Sequence, residues 1–274
     1  MIRSLTIAAL MAAVAAPALA APGAADWRTP DPENVLVVDT NKGRIIAELS
    51  PEAAPNHVAR VRELARAGFY DGRSFFRVID QFMAQTGDPK DDGTGGSEKD
   101  DLVAEFTWRR GADSQFSTVA QPAGAELGFV GTMPAVSQTM ALSVMTADRK
   151  VSAWGMFCPG VLGMARGDNP DSANSQFFFM RQAYPSLDKR YTAFGRVLSG
   201  LEAVRSIKTG EPVAAPQDVM QKVRVLADIP AKERPSVRVV DTRSAWFKAE
   251  VDRVKATRGA DFSPCDVDIA TEVK

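Results

Sequence analysis

The chain is poor in the residues that most enzymes use for acid–base or metal chemistry. Among 274 residues there is one histidine, His57, and there are two cysteines, Cys158 and Cys265. One histidine excludes a His-based metal cluster and leaves little room for a His-dependent nucleophilic triad. His57 follows Pro55-Asn56 inside an apparent helix, which reads as a helix-surface or packing position rather than a general base. The cysteines lie 107 residues apart, which fits neither a CxxC redox pair nor a zinc site. They are either a disulfide or two free thiols, because spacing does not give Cα separation. Charge of one sign is also missing: 33 basic against 34 acidic residues give a net charge of −1. With no basic block, nucleic-acid binding has little support.

Long apolar runs are absent beyond the first twenty residues. There, Arg3 precedes an apolar stretch from Leu5 to Leu19, and Ala18-Leu19-Ala20 has the small-x-small form of a signal-peptidase site. The run is short and alanine-rich for a membrane span. Residues 1–20 therefore read as a signal peptide, leaving 274 − 20 = 254 residues with net charge −2 once Arg3 is removed. The mature chain is expected to be exported and to lack a membrane span: periplasmic in a Gram-negative bacterium, otherwise secreted. No cysteine follows the signal to carry a lipid anchor.

What is present is a set of short strand-like runs with few helices. Residues 21–33 read as a flexible lead-in. Asn34–Thr40 and Arg44–Leu49 flank Asn41-Lys42-Gly43 as a hairpin. A helix follows over 51–67, with Val58, Val61, Leu64 and Ala65 at helical spacing and Gly68 as its stop. Phe75–Ile79, Phe82–Gln85, Val161–Ala165, Gln176–Met180, Tyr191–Leu198 and Gln221–Ala227 read as strands, and Leu201–Lys208 as a short helix. Residues 109–160 lack sustained periodicity, with short strands placed at Met140–Met145 and Val151–Phe157. Residues 229–240 read as a connector, Ser244–Arg258 as an amphipathic helix, and the last fifteen residues as featureless. This is a mainly β architecture, with barrel and sandwich equally open on patterning alone.

The chemistry-bearing stretch runs from Ser74 to Asp88. On a strand, residues of one parity share a face, so Arg77, Met83 and Gln85 project together, and a turn at Asp80-Gln81 brings Phe82 to the same mouth. A guanidinium beside an apolar slot suits a greasy ligand with one polar backbone edge, and a prolyl peptide is such a ligand. The loop Gly93-Thr94-Gly95-Gly96 has no following Gly-Lys-Ser/Thr and reads as a tight, mobile surface loop rather than a phosphate cradle.

These residues resemble the cyclophilins, the cyclosporin-binding class of peptidyl-prolyl cis-trans isomerases. The resemblance starts near Val35 and is carried by Phe75-Phe76-Arg77-Val78-Ile79, Phe82-Met83-Ala84-Gln85-Thr86-Gly87-Asp88, Gly93-Thr94-Gly95-Gly96, Glu105-Phe106, Gly163-Met164-Ala165, Asn174-Ser175-Gln176-Phe177-Phe178, Leu187-Asp188 and Phe194-Gly195. It implies a closed eight-stranded antiparallel barrel capped by helices 51–67 and 201–208. The isomerase domain would span 34–228, with an insertion at 109–160 and a C-terminal helical extension at 229–274. It implies Arg77, with Gln85 and Phe82, as the catalytic set. Met83, Phe178 and Leu187 would complete the proline pocket, and Ala165, Arg166 and Gln176 the peptide path. It implies proline-containing polypeptides as partners, and chemistry that requires neither cofactor nor metal.

Three positions depart from the family pattern. Ser186 stands where many members carry tryptophan, Tyr191 where they carry a rim histidine, and Arg166 where they carry asparagine. The tryptophan is associated with cyclosporin binding, so weak cyclosporin affinity is expected. Ser186 and Tyr191 are included among the substrate-binding positions. An alternative is a low-turnover proline-peptide binding module or chaperone that keeps the fold.

Overall fold

The computed structural model describes residues 20–274, so all but the last residue of the expected signal peptide, residues 1–20, lie outside the described residues. In chain order the strands are β1 (Trp27–Arg28), β2 (Val35–Thr40), β3 (Gly43–Leu49), β4 (Arg77–Ile79), β5 (Met83–Thr86), β6 (Trp108–Arg110), β7 (Phe116–Ala120), β8 (Ala125–Val130), β9 (Met133–Gln138), β10 (Val151–Gly155), β11 (Val161–Met164), β12 (Phe177–Met180), β13 (Ala193–Ser199), β14 (Met220–Val225), β15 (Val237–Val240) and β16 (Thr271–Val273). The helices are α1 (Pro55–Arg66), α2 (Leu201–Ser206) and α3 (Ala245–Arg258).

Eight strands form one antiparallel sheet in the order β14-β2-β3-β13-β11-β12-β5-β4. It curls until its ends meet. Gly72 N–H donates to Met220 O, Met220 N–H to Arg73 O and Phe75 N–H to Asp218 O, with bridges Ser74–Val219 and Val78–Gly210. This is the expected eight-stranded barrel, closed by a few bridges rather than a full ladder. Closure leaves no long unpaired edge.

Inward residues of alternate parity fill the interior: Leu36, Val38, Ile45, Ala47, Val78, Ala84, Leu162, Phe177, Phe179 and Val223 are buried in one cluster. Val58, Val61, Leu64 and Ala65 of α1 and Ala203 and Val204 of α2 join that cluster, so both helices cover the barrel. α1 begins at Pro55, four residues later than expected, because Ser50 O accepts the N–H groups of Ala53 and Ala54 in a turn first.

The insertion is a second antiparallel sheet, ordered β6-β10-β9-β8-β7. Met140–Met145, expected as a strand, is a 3-10 helix. The segment expected to be a connector contains β15, which pairs with β1 of the lead-in and β16 of the tail in a third sheet. α3 is N-capped by Ser244, whose hydroxyl accepts Phe247 N–H at 3.1 Å. Its Phe247, Val251 and Val254 pack with Phe129 of β8, Val240 of β15 and Val267, with Trp27 alongside. Lead-in, insertion and tail therefore share one core beside the barrel. Cys158 and Cys265 are disulfide-bonded, with Cα atoms 5.1 Å apart. Where β10 meets β13, an added Cβ at Gly155 would lie 2.5 Å from the Ala193 Cβ, so only glycine permits that approach.

Candidate active site

The outer face of the barrel presents one row across neighbouring strands. Arg77 of β4 pairs with Gln85 of β5, which pairs with Phe178 of β12, which pairs with Gly163 of β11. The next row is Ile79, Met83 and Met180. The intervening residues Val78, Ala84, Phe179 and Leu162 face the core, so the same alternation that builds the barrel exports the site.

A groove of about 730 Å³ runs over this face. Arg77, Phe82, Met83, Gln85, Ala165, Arg166, Phe178, Leu187 and Tyr191 all line it. Met83, Phe178 and Leu187 are buried and form its apolar floor. Phe82 reaches the mouth after Gln81, whose φ of 58° makes the turn. Gln176 lies beside the groove, lining the adjoining hollow under the glycine loop. Ser186 is not brought in: it is exposed on a 3-10 turn at Pro185–Leu187 and lines none of this groove.

Polar groups form a chain along one wall. Arg77 Nη1 donates to Gln85 Oε1 at 3.2 Å, and Gln85 Nε2 to Gln176 Oε1 at 2.9 Å. Gln176 Nε2 donates to Gly93 O at 3.1 Å and Gly95 O at 2.7 Å. The glycine loop, expected to be mobile, is tied down. Buried Asp88 accepts N–H groups from Lys90, Asp92 and Gly93, and Asn174 Oδ1 accepts from Ser97.

The opposite wall is aromatic. Phe178 stacks on Phe157 with ring centroids 6.0 Å apart and meets Tyr191 edge-on at 6.1 Å. Arg166 lies over Tyr191 at 4.5 Å and Phe106 at 5.6 Å, and donates to Arg190 O from Nε and Nη2. Its charge is thus committed to the rim rather than free in the groove. Asp188, next to Leu187, accepts Phe157 N–H at 3.0 Å, and burial pushes its carboxyl up to about 6 despite that bond. The insertion does not cover the groove. It supports it from behind, through Phe157 and Met133, with Trp108 just before the insertion, packed with the floor residues.

Sequence reasoning missed Glu211 and Pro212, which line the groove from a loop 134 residues beyond Arg77, and Asp91 and Asp92 at the rim. Bonds from the Thr94 hydroxyl and N–H outweigh burial and hold the Asp92 carboxyl below its usual range. Only the closing bridges of the barrel place Glu211, and no local pattern announces them. His57 is fully buried in α1, not on its surface, and its Nδ1 lies 2.6 Å from Glu105 Oε2. It does not line the groove.

A family model described as cyclophilin type peptidyl-prolyl cis-trans isomerase/CLD matches residues 35–227. A probable peptidyl-prolyl cis-trans isomerase of Brucella suis biovar 1 (strain 1330) is 36% identical over 220 residues, covering 76% of this chain and 86% of that protein. Peptidyl-prolyl cis-trans isomerase B of Bacillus subtilis (strain 168) is 34% identical over 190 residues, covering 69% and 94%. The crystal structure of cyclophilin AquaCyp293 from Hirschia baltica superposes with a TM-score of 0.83 at 33% identity, covering 90% of this chain and 93% of that one. That coverage exceeds the 193 of 274 residues matched by the family model, so the likeness extends beyond the barrel.

Proposed function

The chain belongs to the cyclophilin-type peptidyl-prolyl cis-trans isomerases, and from that premise we propose that it accelerates the folding of exported proteins, with Arg77 acting on the twisting prolyl bond. The observation that carries the site reading is the row Arg77–Gln85–Phe178, a guanidinium fixed beside an apolar floor of Met83, Phe178 and Leu187. The barrier to rotation, roughly 18–20 kcal/mol, comes from resonance between the nitrogen lone pair and the carbonyl. At the twisted geometry the lone pair localises on the prolyl nitrogen. A donor aimed there binds the transition state more strongly than the ground state, which is what lowers a barrier. Arg77 donates from Nε and Nη1 within the protein, which leaves Nη2 without a protein acceptor among the described residues. The floor holds the proline ring while the preceding carbonyl swings. Each tenfold acceleration needs about 1.4 kcal/mol, so a few charge-assisted hydrogen bonds reach the required scale.

Export is supported by the N-terminal sequence and by the disulfide, which belongs to oxidising compartments. Uncatalysed X-Pro isomerisation takes tens to hundreds of seconds and limits folding, so such an activity has clients wherever proline-containing chains fold after export. The test is a proline-limited refolding assay. Arg77→Ala is expected to lower the acceleration about a hundredfold with little change in melting temperature, since Arg77 is half-buried and off the core. Undiminished acceleration would sink the role given to Arg77. Peptide binding by the wild type without any acceleration would favour the low-turnover binding module.

Weak cyclosporin affinity is proposed on the same groove. Ser186 contributes neither a ring nor a lining contact at the position where the family resemblance implies a tryptophan. Inhibition at low nanomolar concentration would contradict it.

A further inference from the structure

Glu211 lies 134 residues from Arg77 in sequence, yet its Oε1 accepts from Arg77 Nε at 2.6 Å. The backbone beneath this contact is fixed on both sides. Val78 and Gly210 exchange both of their hydrogen bonds at 2.8 Å, and Val213 N–H donates to Phe76 O at 2.8 Å. These bonds bracket Arg77 on β4 and Glu211 on the facing loop. Val213 is buried in the barrel core, which anchors the loop from below. Gly210 cannot be replaced without moving the loop: a Cβ there would lie 2.6 Å from Val213 Cα and 2.8 Å from Pro212 O.

The second edge of the guanidinium is held by Gln85, itself fixed through Gln176 to the glycine loop. A guanidinium is planar, so contacts at Nε and at Nη1 together define its orientation and leave Nη2 for a ligand. The other two carboxylates lining the groove are engaged elsewhere. Asp91 accepts the Ser74 hydroxyl and Asp92 accepts the N–H and hydroxyl of Thr94.

We propose that Glu211 is a positioning residue for the isomerase reaction, holding the Arg77 guanidinium in the plane from which it meets the prolyl bond. This rests on the role given to Arg77 above. An arginine held by one contact samples many rotamers, whereas one held at two nitrogens is aligned before the substrate arrives, so no reorganisation is needed at the moment of rotation. The carboxylate offsets part of the charge of Arg77. Its orienting and electrostatic effects are therefore separable: glutamine keeps an acceptor oxygen and removes the charge.

The experiment measures kcat and KM for a prolyl tetrapeptide on the full mature chain carrying Glu211→Ala or Glu211→Gln, each alone and the alanine change also combined with Arg77→Lys. Glu211→Ala is expected to lower kcat about fivefold with KM little changed, and Glu211→Gln to recover most of the loss. The Arg77 Nε–Hε correlation is expected to be sharp in the wild type, to broaden in Glu211→Ala and to persist in Glu211→Gln. With Arg77→Lys present, Glu211→Ala adds no further loss. Wild-type or higher kcat in Glu211→Ala, or the same loss in the lysine background, would overturn the proposal. If Arg77→Ala is impaired and Glu211→Ala is not, the positioning role alone falls; if Arg77→Ala keeps full activity, the role of Arg77 falls and takes this one with it.

Discussion

Asp188 shows how the groove's surroundings tune a single residue. Its carboxylate accepts Phe157 N–H and sits where burial raises its carboxyl to about 6, from an ordinary value of 3.8. The folded state therefore binds a proton that the unfolded state has already released between about pH 4 and pH 6. Stability contributed by this group falls as pH rises across that window, and at pH 7 the charged form is carried at a cost. Asp188→Asn keeps an acceptor for Phe157 and removes the charge. It is expected to raise unfolding free energy at pH 7 by about 1 kcal/mol, after allowing for partial solvent access, and to give no gain at pH 4. A carboxyl carbon titration with a midpoint near 4 would refute the argument. At this scale the sequence was most readable where partners are neighbours in the chain. The common face of Arg77, Met83 and Gln85 follows from parity alone. Glu211 was not readable, because it meets Arg77 across the bridges that close the barrel, 134 residues away in sequence.

Among the elements, α1 illustrates a helix start that local sequence does not supply. Its N-cap, Ala54, has no side chain to accept an N–H. Glu105, 49 residues after Asn56, does this from a distance: its carboxylate accepts the N–H groups of Asn56 and His57 at 3.1 Å each and contacts His57 Nδ1 at 2.6 Å. Burial pushes the Glu105 carboxyl up, but the bonds from His57 and the two N–H groups outweigh it and hold it below the usual range. The sign follows: its contribution is present above about pH 4.5 and is lost as pH falls toward the lowered value. Glu105→Ala is expected to cost about 1–2 kcal/mol at pH 7, with loss of amide protection concentrated in the first turn of α1. Protection there equal to the wild type would exclude the capping role. Sequence reading placed the helix and its apolar stripe, since these are periodic, but set its start at the wrong proline. It also missed β7, β8 and β9. Pro134 lies within β9, and Gly128 lies within β8 against the Phe116 ring, so neither strand shows the bulky alternation by which strands are recognised.

The whole molecule is a barrel with a second body beside it, assembled from three separated pieces of chain. Trp27, Phe129, Phe247 and Val267 come from the lead-in, the insertion and the tail and pack in one core. The barrel was legible because its motifs are local and ordered. The second body was not, because its pieces bury their apolar sides against one another and against the barrel wall, partners that lie far away in sequence. Its assembly depends on long-range closure, and the Cys158–Cys265 bond spans 107 residues to provide one. Closing a loop of that length restricts the unfolded chain by up to about 4–5 kcal/mol on the chain-entropy account, with 2–4 kcal/mol typical of measured bonds. Cys265 also packs with Phe157 and Met133 behind the groove floor, so the bond joins the tail to the layer that supports Phe178. Replacing both cysteines by serine is expected to lower unfolding free energy by about 3 kcal/mol and to speed hydrogen exchange first in residues 237–273, while β2 and β3 of the barrel keep their protection. Uniform loosening of barrel and tail together would instead mean that the two bodies fold as one cooperative unit, with the disulfide serving both equally.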